Sequence, residues 1–107
     1  MLMLTLSLLA GCFSGTDYAE GYVEAQCERI LECYSEESLA VLPYSDVEGC
    51  LEYKAAEIEA EEARTAAEDC AFDRKLAQTC VDDLYAISCD EFNANEFPDD
   101  CYDVCES

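Results

Sequence analysis

Residues 70–89 read CAFDRKLAQTCVDDLYAISC, and this stretch decides the fold class. Apolar side chains recur there at the three- and four-residue steps of one helix face: Leu76, Ala77, Cys80, Val81, Leu84 and Ile87. Asp73 precedes that face, and its carboxylate can accept hydrogen bonds from the free amides of a first helical turn. The stretch therefore predicts an amphipathic helix that begins after Asp73 and carries a cysteine on its buried face.

The same periodicity predicts two more helices. Residues 18–34 form the first, with an apolar face made of Tyr22, Val23, Cys27, Ile30 and Tyr34. Pro43 ends any helix begun at residues 38–42, and Asp46 is the predicted N-cap of a second helix. The apolar stripe of that helix is Val47, Cys50, Leu51, Ala55 and Ile58. Its tail, AEIEAEEARTAAED (56–69), has strong helix propensity and little to bury, so we expect it to project into solvent.

No strand pattern is evident, and residues 99–105 could form one or two closing helical turns. The predicted fold class is all-α, a small disulfide-stapled bundle of three helices plus a short C-terminal helical turn.

Nine cysteines in 107 residues indicate how so small a domain is stabilised. A hydrophobic core of this size is marginal by itself, and many cysteines in a short exported chain are typical of a disulfide scaffold. The chain has no histidine and no CxxC motif, which argues against zinc and against a thioredoxin-like redox site. We therefore expect eight cysteines to form disulfides, namely Cys27, Cys33, Cys50, Cys70, Cys80, Cys89, Cys101 and Cys105.

The pairing of these eight cysteines is not readable from the sequence, because many pairings are possible. Helices that run up, down and up with short connections favour two pairs, Cys33 with Cys50 and Cys89 with Cys101. The remaining four cysteines would pair among themselves. Since closed loops of this size each stabilise by roughly 2 to 4 kcal/mol, we expect reduction to unfold the domain.

The N-terminal residues have the features of an export signal. Residues 1–11, MLMLTLSLLAG, are uncharged and too short to span a bilayer, which needs about 20 apolar residues, but they suit the core of a signal peptide. Leu9-Ala10-Gly11-Cys12 resembles the bacterial lipobox, whose cysteine carries the lipid and becomes the new N-terminus. This resemblance implies a signal peptide over 1–11, a lipidated Cys12 with a tether over 12–17, and a cysteine-rich domain over 18–107.

Parity supports a lipid on Cys12, because removing it from nine cysteines leaves an even number. Phe13 follows Cys12 where aspartate would signal retention in the inner membrane, so the expected location is the outer membrane or cell surface. Two other interpretations stay open: a plain secretory signal with a soluble secreted product, and a buried apolar segment.

The net charge of −21 restricts the partners. Nucleic acid is not expected, because phosphates are bound by lysine and arginine, and the acidic surface also disfavours anionic lipid headgroups. The acidity is typical of a solvated surface that repels itself, although a cationic partner or divalent cations would also suit it. Asp99, Asp100 and Asp103 are weak metal candidates, against a simpler interpretation as a solvated helix start.

No catalytic residue is predicted, since without histidine the usual serine or cysteine triads cannot be built. We expect no enzyme activity and no cofactor. Tyr44, beside Pro43, is the tyrosine we expect to be most exposed and a candidate contact residue.

Three segments carry a family resemblance: CERILEC (27–33), CAFDRKLAQTCVDDLYAISC (70–89) and FPDDCYDVC (97–105). Together they resemble the small cysteine-rich lipoproteins that are numerous in myxobacteria and their relatives. The resemblance implies a surface or periplasmic location and brings no catalytic residues with it.

The expected function is that of an exported, lipid-anchored envelope protein with a non-enzymatic interaction or structural role. Its membrane contact would be the N-terminal lipid, and its partner an unknown protein or glycan. The alternatives are an acidic divalent-cation-binding module and a soluble secreted cysteine-rich binder or inhibitor.

Overall fold

The structure is a computed structural model that describes residues 13–106. The predicted signal peptide and Cys12 lie outside the described residues. Within 13–106 the chain forms six α-helices, one 3-10 helix and two short strands. They are α1 Gly15–Cys33, α2 Glu36–Ala40, α3 Val47–Tyr53, α4 Ala55–Ala66, β1 Ala71–Phe72, α5 Arg74–Ala86, α6 Cys89–Asn93, η1 Asp99–Tyr102 and β2 Cys105–Glu106. The predicted all-α fold class is confirmed.

Helix α1 is the centre of the domain, and α3, α4, α5 and α6 all pack against it. Its buried residues therefore face several directions, and they are Tyr18, Ala19, Val23, Ala25, Cys27, Arg29 and Ile30. Helix α5 runs parallel to α1. Phe72, just before α5, has its ring 6.1 Å from that of Tyr18 near the start of α1, and Tyr85 near the end of α5 donates a hydrogen bond to Glu24, farther along α1. Helix α4 runs antiparallel to α1, as Thr65 near its end lies against Gly15.

Helix α1 begins earlier than predicted. Ser14 and Asp17 form a reciprocal capping box, in which the Ser14 hydroxyl accepts from the Asp17 amide at 3.1 Å and the Asp17 carboxylate accepts from the Ser14 amide. Phe13, just before the cap, packs against the core. The predicted tether over 12–17 is therefore wrong from Phe13 onward, because a capped and packed helix start occupies those residues.

The predicted second helix is two helices, α3 and α4, separated at Lys54. Asp46 caps α3 as predicted, and its carboxylate accepts from the Gly49 amide at 2.7 Å. The expectation that the acidic tail projects into solvent is wrong, since α4 lies along α1. The two helices approach closely because Gly15 has no side chain; a Cβ there would lie 2.4 Å from the Thr65 hydroxyl.

Two clusters of buried side chains form the core. The α5 core comprises Tyr18, Ala77, Cys80, Val81, Cys101 and Val104, and the α3 core comprises Val23, Cys27 and Cys50. Tyr22 packs against both, so the α1 helix joins them into one interior.

The helix predicted from residues 70–89 is α5. Asp73 caps it, and its carboxylate accepts from the Leu76 amide at 3.0 Å. The predicted closing turn is η1. The structure adds one short pairing for which the sequence shows no pattern: β1 and β2 pair antiparallel, with Ala71 opposite Glu106. Two-residue strands are too short to show an alternating pattern. Among residues 13–106, no helix has both the length and the apolar character needed to cross a membrane.

Candidate functional site

The eight predicted cysteines form four disulfides, with Cα atoms 4.7 to 5.9 Å apart. The pairs are Cys27–Cys50, Cys33–Cys89, Cys70–Cys105 and Cys80–Cys101. Four disulfides are consistent with an extracellular or envelope location. Both favoured pairings, Cys33 with Cys50 and Cys89 with Cys101, are wrong.

The geometry of α1 explains the first error. Cys27 faces the α3 core and takes Cys50, while Cys33 ends α1 beside α6 and takes Cys89. Because α1 and α5 are parallel, the end of α5 brings the first residue of α6 to the end of α1. Cysteines distant in sequence therefore pair there.

The second error concerns η1. This short helix packs on α5, which places Cys101 in the α5 core against Cys80 and not beside Cys89. The sequence favours Cys89 because it is the nearest preceding cysteine in the chain. Tertiary packing carries the segment past that cysteine.

The four bridges fall into two classes by exposure. Cys27–Cys50 is fully buried, and Cys80–Cys101 is nearly so, with exposed fractions of 0% and 9%. Both cysteines of Cys33–Cys89 and both of Cys70–Cys105 are half-buried. The two half-buried bridges lie near opposite ends of α1, the first at Cys33 and the second beside the Gly15 end, where α4 and β1 meet.

Arg29 lies at the Cys33–Cys89 bridge. This side chain is buried, and its Nη1 donates to the Ile87 carbonyl at 3.0 Å and lies 3.7 Å from Cys33 Sγ. Its Nη2 pairs with Glu32, while its buried Nε makes no hydrogen bond within the described part of the chain. An arginine four residues before a cysteine on a helix shares its face, which is the one signal in the sequence for this contact.

Arg64 holds a similar position at the Cys70–Cys105 bridge. Its Nη1 lies 3.4 Å from Cys105 Sγ, and its Nη2 binds a Glu61 oxygen at 2.9 Å. The hydrogen bond to Glu61 raises the pKa of Arg64, against the opposing effect of burial. Burial, with a smaller contribution from Glu61, raises the pKa of nearby Tyr18, so that hydroxyl stays protonated. No local sequence pattern indicated the Arg64 contact, because Cys105 is far along the chain.

The acidic candidates Asp99, Asp100 and Asp103 lie at η1. Desolvation, followed by the charge of Asp83 on α5, raises the pKa of the Asp100 carboxyl. No group of three or more acidic, cysteine or histidine side chains within 13–106 is arranged to hold a metal ion. Asp99, Asp100 and Asp103 belong to no such group in the described part of the chain, and a metal at these residues stays a weak prediction.

The tyrosine prediction is also corrected. Tyr44 is half-buried, because it packs against the α3 core with its ring 5.6 Å from that of Tyr53. Tyr53 is 65% exposed and Tyr102 is 70% exposed, whereas Tyr34 is 37% exposed, so Tyr53 and Tyr102 are the most accessible tyrosines among the described residues.

A shallow cleft of about 440 Å³ lies between the end of α5, α6 and residues 96–99. Half of its lining residues are apolar and half are acidic: Ala86, Ile87, Phe97 and Pro98, and Asp83, Glu91, Glu96 and Asp99. The charged residues that line it are all acidic, so the cleft is suited to a cationic group and disfavours an anionic one.

Comparisons with protein-family models, with curated proteins and with solved structures find no match to this chain. The similarity to small cysteine-rich lipoproteins stays a prediction that rests on the three cysteine-containing segments.

Proposed function

We propose that this chain is an exported bacterial envelope protein, anchored by lipid on Cys12, with a non-enzymatic interaction or structural role. One observation carries the proposal: the eight cysteines from Cys27 to Cys105 pair with one another, which leaves Cys12 as the ninth. An unpaired cysteine at the end of a lipobox-like sequence has a chemical role if its thiol carries lipid.

The disulfides support export, because such bonds form and persist in oxidising compartments. The charge of −21 supports a surface that stays solvated and repels copies of itself.

The start of α1 gives the proposed anchor a specific geometry. Phe13, the residue after Cys12, packs against the α5 core, and Ser14 already caps α1. A lipid on Cys12 would therefore attach one residue from the folded domain. The domain would lie directly at the membrane, with the Gly15 end of α1 nearest to it.

Metabolic labelling with a palmitate analogue, followed by mass spectrometry of the N-terminal peptide, tests the anchor. The expected result is a diacylated peptide that begins at Cys12, and Cys12→Ser should abolish the label. Gly11→Ala is the matched control, because it keeps a small residue before the cysteine and should keep the label.

Other results would contradict the anchor and select an alternative. An unlipidated chain in the medium, cleaved after the apolar segment, would indicate the soluble secreted binder or inhibitor. A chain that retains residues 1–11 would indicate a buried apolar segment.

The interaction role predicts a protein or glycan partner that requires the folded domain. Cross-linking in intact envelopes should yield an adduct with the native protein and none with the reduced, alkylated one. Tyr53→Ser and Tyr102→Ser form a matched pair, since the two most exposed tyrosine rings of the described chain lie on different elements, α3 and η1. An adduct unchanged by reduction would contradict the role of the fold.

A further inference from the structure

Two arginines contact disulfide sulfur atoms in the same way. In each, Nη1 lies near one sulfur, 3.7 Å for Arg29 and Cys33 and 3.4 Å for Arg64 and Cys105. In each, Nη2 binds a glutamate, which fixes the orientation of the guanidinium. Two of the chain's five basic residues therefore lie at disulfides, although the chain has 26 acidic residues that they could pair with elsewhere.

The bridges that contact an arginine are also the more exposed ones. The two bridges with an arginine are half-buried, whereas Cys27–Cys50 and Cys80–Cys101 are buried in the two core clusters. The near neighbour of Cys80 Sγ is the neutral hydroxyl of Tyr18, at 3.9 Å. Access by a reductant and a fixed positive charge thus coincide at the same two bridges.

This coincidence has a chemical consequence. A disulfide breaks faster when the departing sulfur leaves as a stabilised thiolate, and a neighbouring guanidinium stabilises thiolate charge. Arginine keeps its charge at all physiological pH values, so this effect is permanent. Cys33 and Cys105 are therefore the preferred leaving sulfurs.

We infer that Cys33–Cys89 and Cys70–Cys105 are two sites of thiol–disulfide exchange, open to a dithiol reductant while the two buried bridges stay closed. The reductant is a dithiol, either a small molecule or a pair of thiols on the surface of an oxidoreductase. This inference concerns the folded domain and does not depend on a lipid at Cys12.

At Cys33–Cys89 the exchange has two steps. A reductant thiolate attacks Cys89 Sγ, the S–S bond breaks, and its electron pair leaves on Cys33 Sγ beside Arg29. The second reductant thiol, as its thiolate, attacks the reductant sulfur of the mixed disulfide and releases the Cys89 thiolate. Cys33 and Cys89 each take up one of the two protons that the reductant thiols lost. The reductant is oxidised to its disulfide, and two electrons reduce the protein bridge to two thiols. At the other site Cys70 is attacked and Cys105 leaves beside Arg64.

Partial reduction of the oxidised full chain tests the inference. Dithiothreitol, an uncharged dithiol, avoids repulsion by the acidic surface, and N-ethylmaleimide traps the thiols for peptide mapping by mass spectrometry. We expect label first on Cys33, Cys89, Cys70 and Cys105, with helical circular dichroism retained. Simultaneous opening of all four bridges, or earlier opening of the buried pair, would overturn the inference.

The arginines are tested separately from exposure. Arg64→Gln should slow cleavage of Cys70–Cys105 by roughly threefold, the change for about one pKa unit at a Brønsted slope near 0.5, and leave Cys33–Cys89 unchanged. Arg29→Gln should do the reverse. Lys75→Gln, an exposed residue at the start of α5, removes the same charge and should alter neither rate. An unchanged rate in Arg64→Gln would overturn the role of arginine even where Arg29→Gln fails to fold.

Discussion

Helices α4 and α5 both lie along α1, yet they are attached to it by different means. Helix α5 has a side-chain N-cap and buries Ala77, Cys80, Val81 and Leu84. Of the residues of α4, all within the described chain, Thr65 alone is buried, and its N-terminus has no side-chain cap. Helix α4 contains no cysteine, but bridged Cys50 precedes it and bridged Cys70 follows it.

The difference shows two ways to hold a helix. An amphipathic face stabilises α5 directly, through apolar area removed from water. Helix α4, rich in alanine and glutamate, is positioned by the disulfides on either side of it and by the close approach of Gly15 to Thr65. Crosslinks can therefore keep in place a helix that buries little.

Complete reduction should have the largest effect, because it removes every crosslink on which the positions of the helices depend. The four bridges contribute roughly 2 to 4 kcal/mol each, which together matches or exceeds a typical net stability of about 5 to 15 kcal/mol. We expect excess reductant in mild denaturant to abolish the helical circular dichroism. Hydrogen exchange during the reaction should show α4 losing protection before α5. A fully reduced chain with an unchanged spectrum would refute the dependence on disulfides.

Truncation of one apolar side chain on each helix should give the next largest difference in stability between α5 and α4. Leu84 on α5 is fully buried, so Leu84→Ala should lower the free energy of unfolding by about 2 to 5 kcal/mol. Ile58 on α4 is half-buried, and Ile58→Ala should cost about 1 kcal/mol. Urea unfolding of the oxidised proteins measures both values. Equal losses would mean that α4 is held by burial after all.

A methyl group at Gly15 tests the close approach on which α4 depends. Its Cβ would lie 2.4 Å from Thr65 Oγ1, so Gly15→Ala should destabilise by about 1 to 3 kcal/mol despite the better helix propensity of alanine. Thr65→Ala in the same chain should recover part of the loss. Thr16→Ala, at an exposed neighbouring position, is the control. A more stable Gly15→Ala protein would contradict the close approach of Gly15 to Thr65.

Substitutions at the N-termini of α5 and α4 should give the smallest difference in stability between the two helices. Asp73→Ala should cost about 1 kcal/mol, because the Leu76 amide loses its acceptor, and Asp73→Asn should restore most of the loss. Lys54 stands at the start of α4 and makes an ion pair with Glu57, so Lys54→Ala should cost less than about 0.5 kcal/mol. Thermal unfolding compares the three variants. A larger loss at Lys54 would show that the start of α4 matters more than the disulfides that flank it.

Much of the local structure followed from the sequence. The caps at Asp46 and Asp73, the helix of residues 74–86 and the involvement of eight cysteines in disulfides depend on neighbours within a turn or on composition. The break at Lys54 and the start of α1 at Gly15 did not follow, because helix propensity and apolar periodicity locate the ends of helices poorly.

By itself, the sequence determined a helical, disulfide-stapled chain, since helical periodicity and cysteine content are properties of the residues in order. Only the tertiary structure decided the partners: Cys33 with Cys89, Arg64 with Cys105, and α4 with α1. A disulfide or a guanidinium contact requires atoms within a few ångströms of one another. Which atoms come that close depends on how whole helices pack around α1, and no local stretch of the chain encodes that.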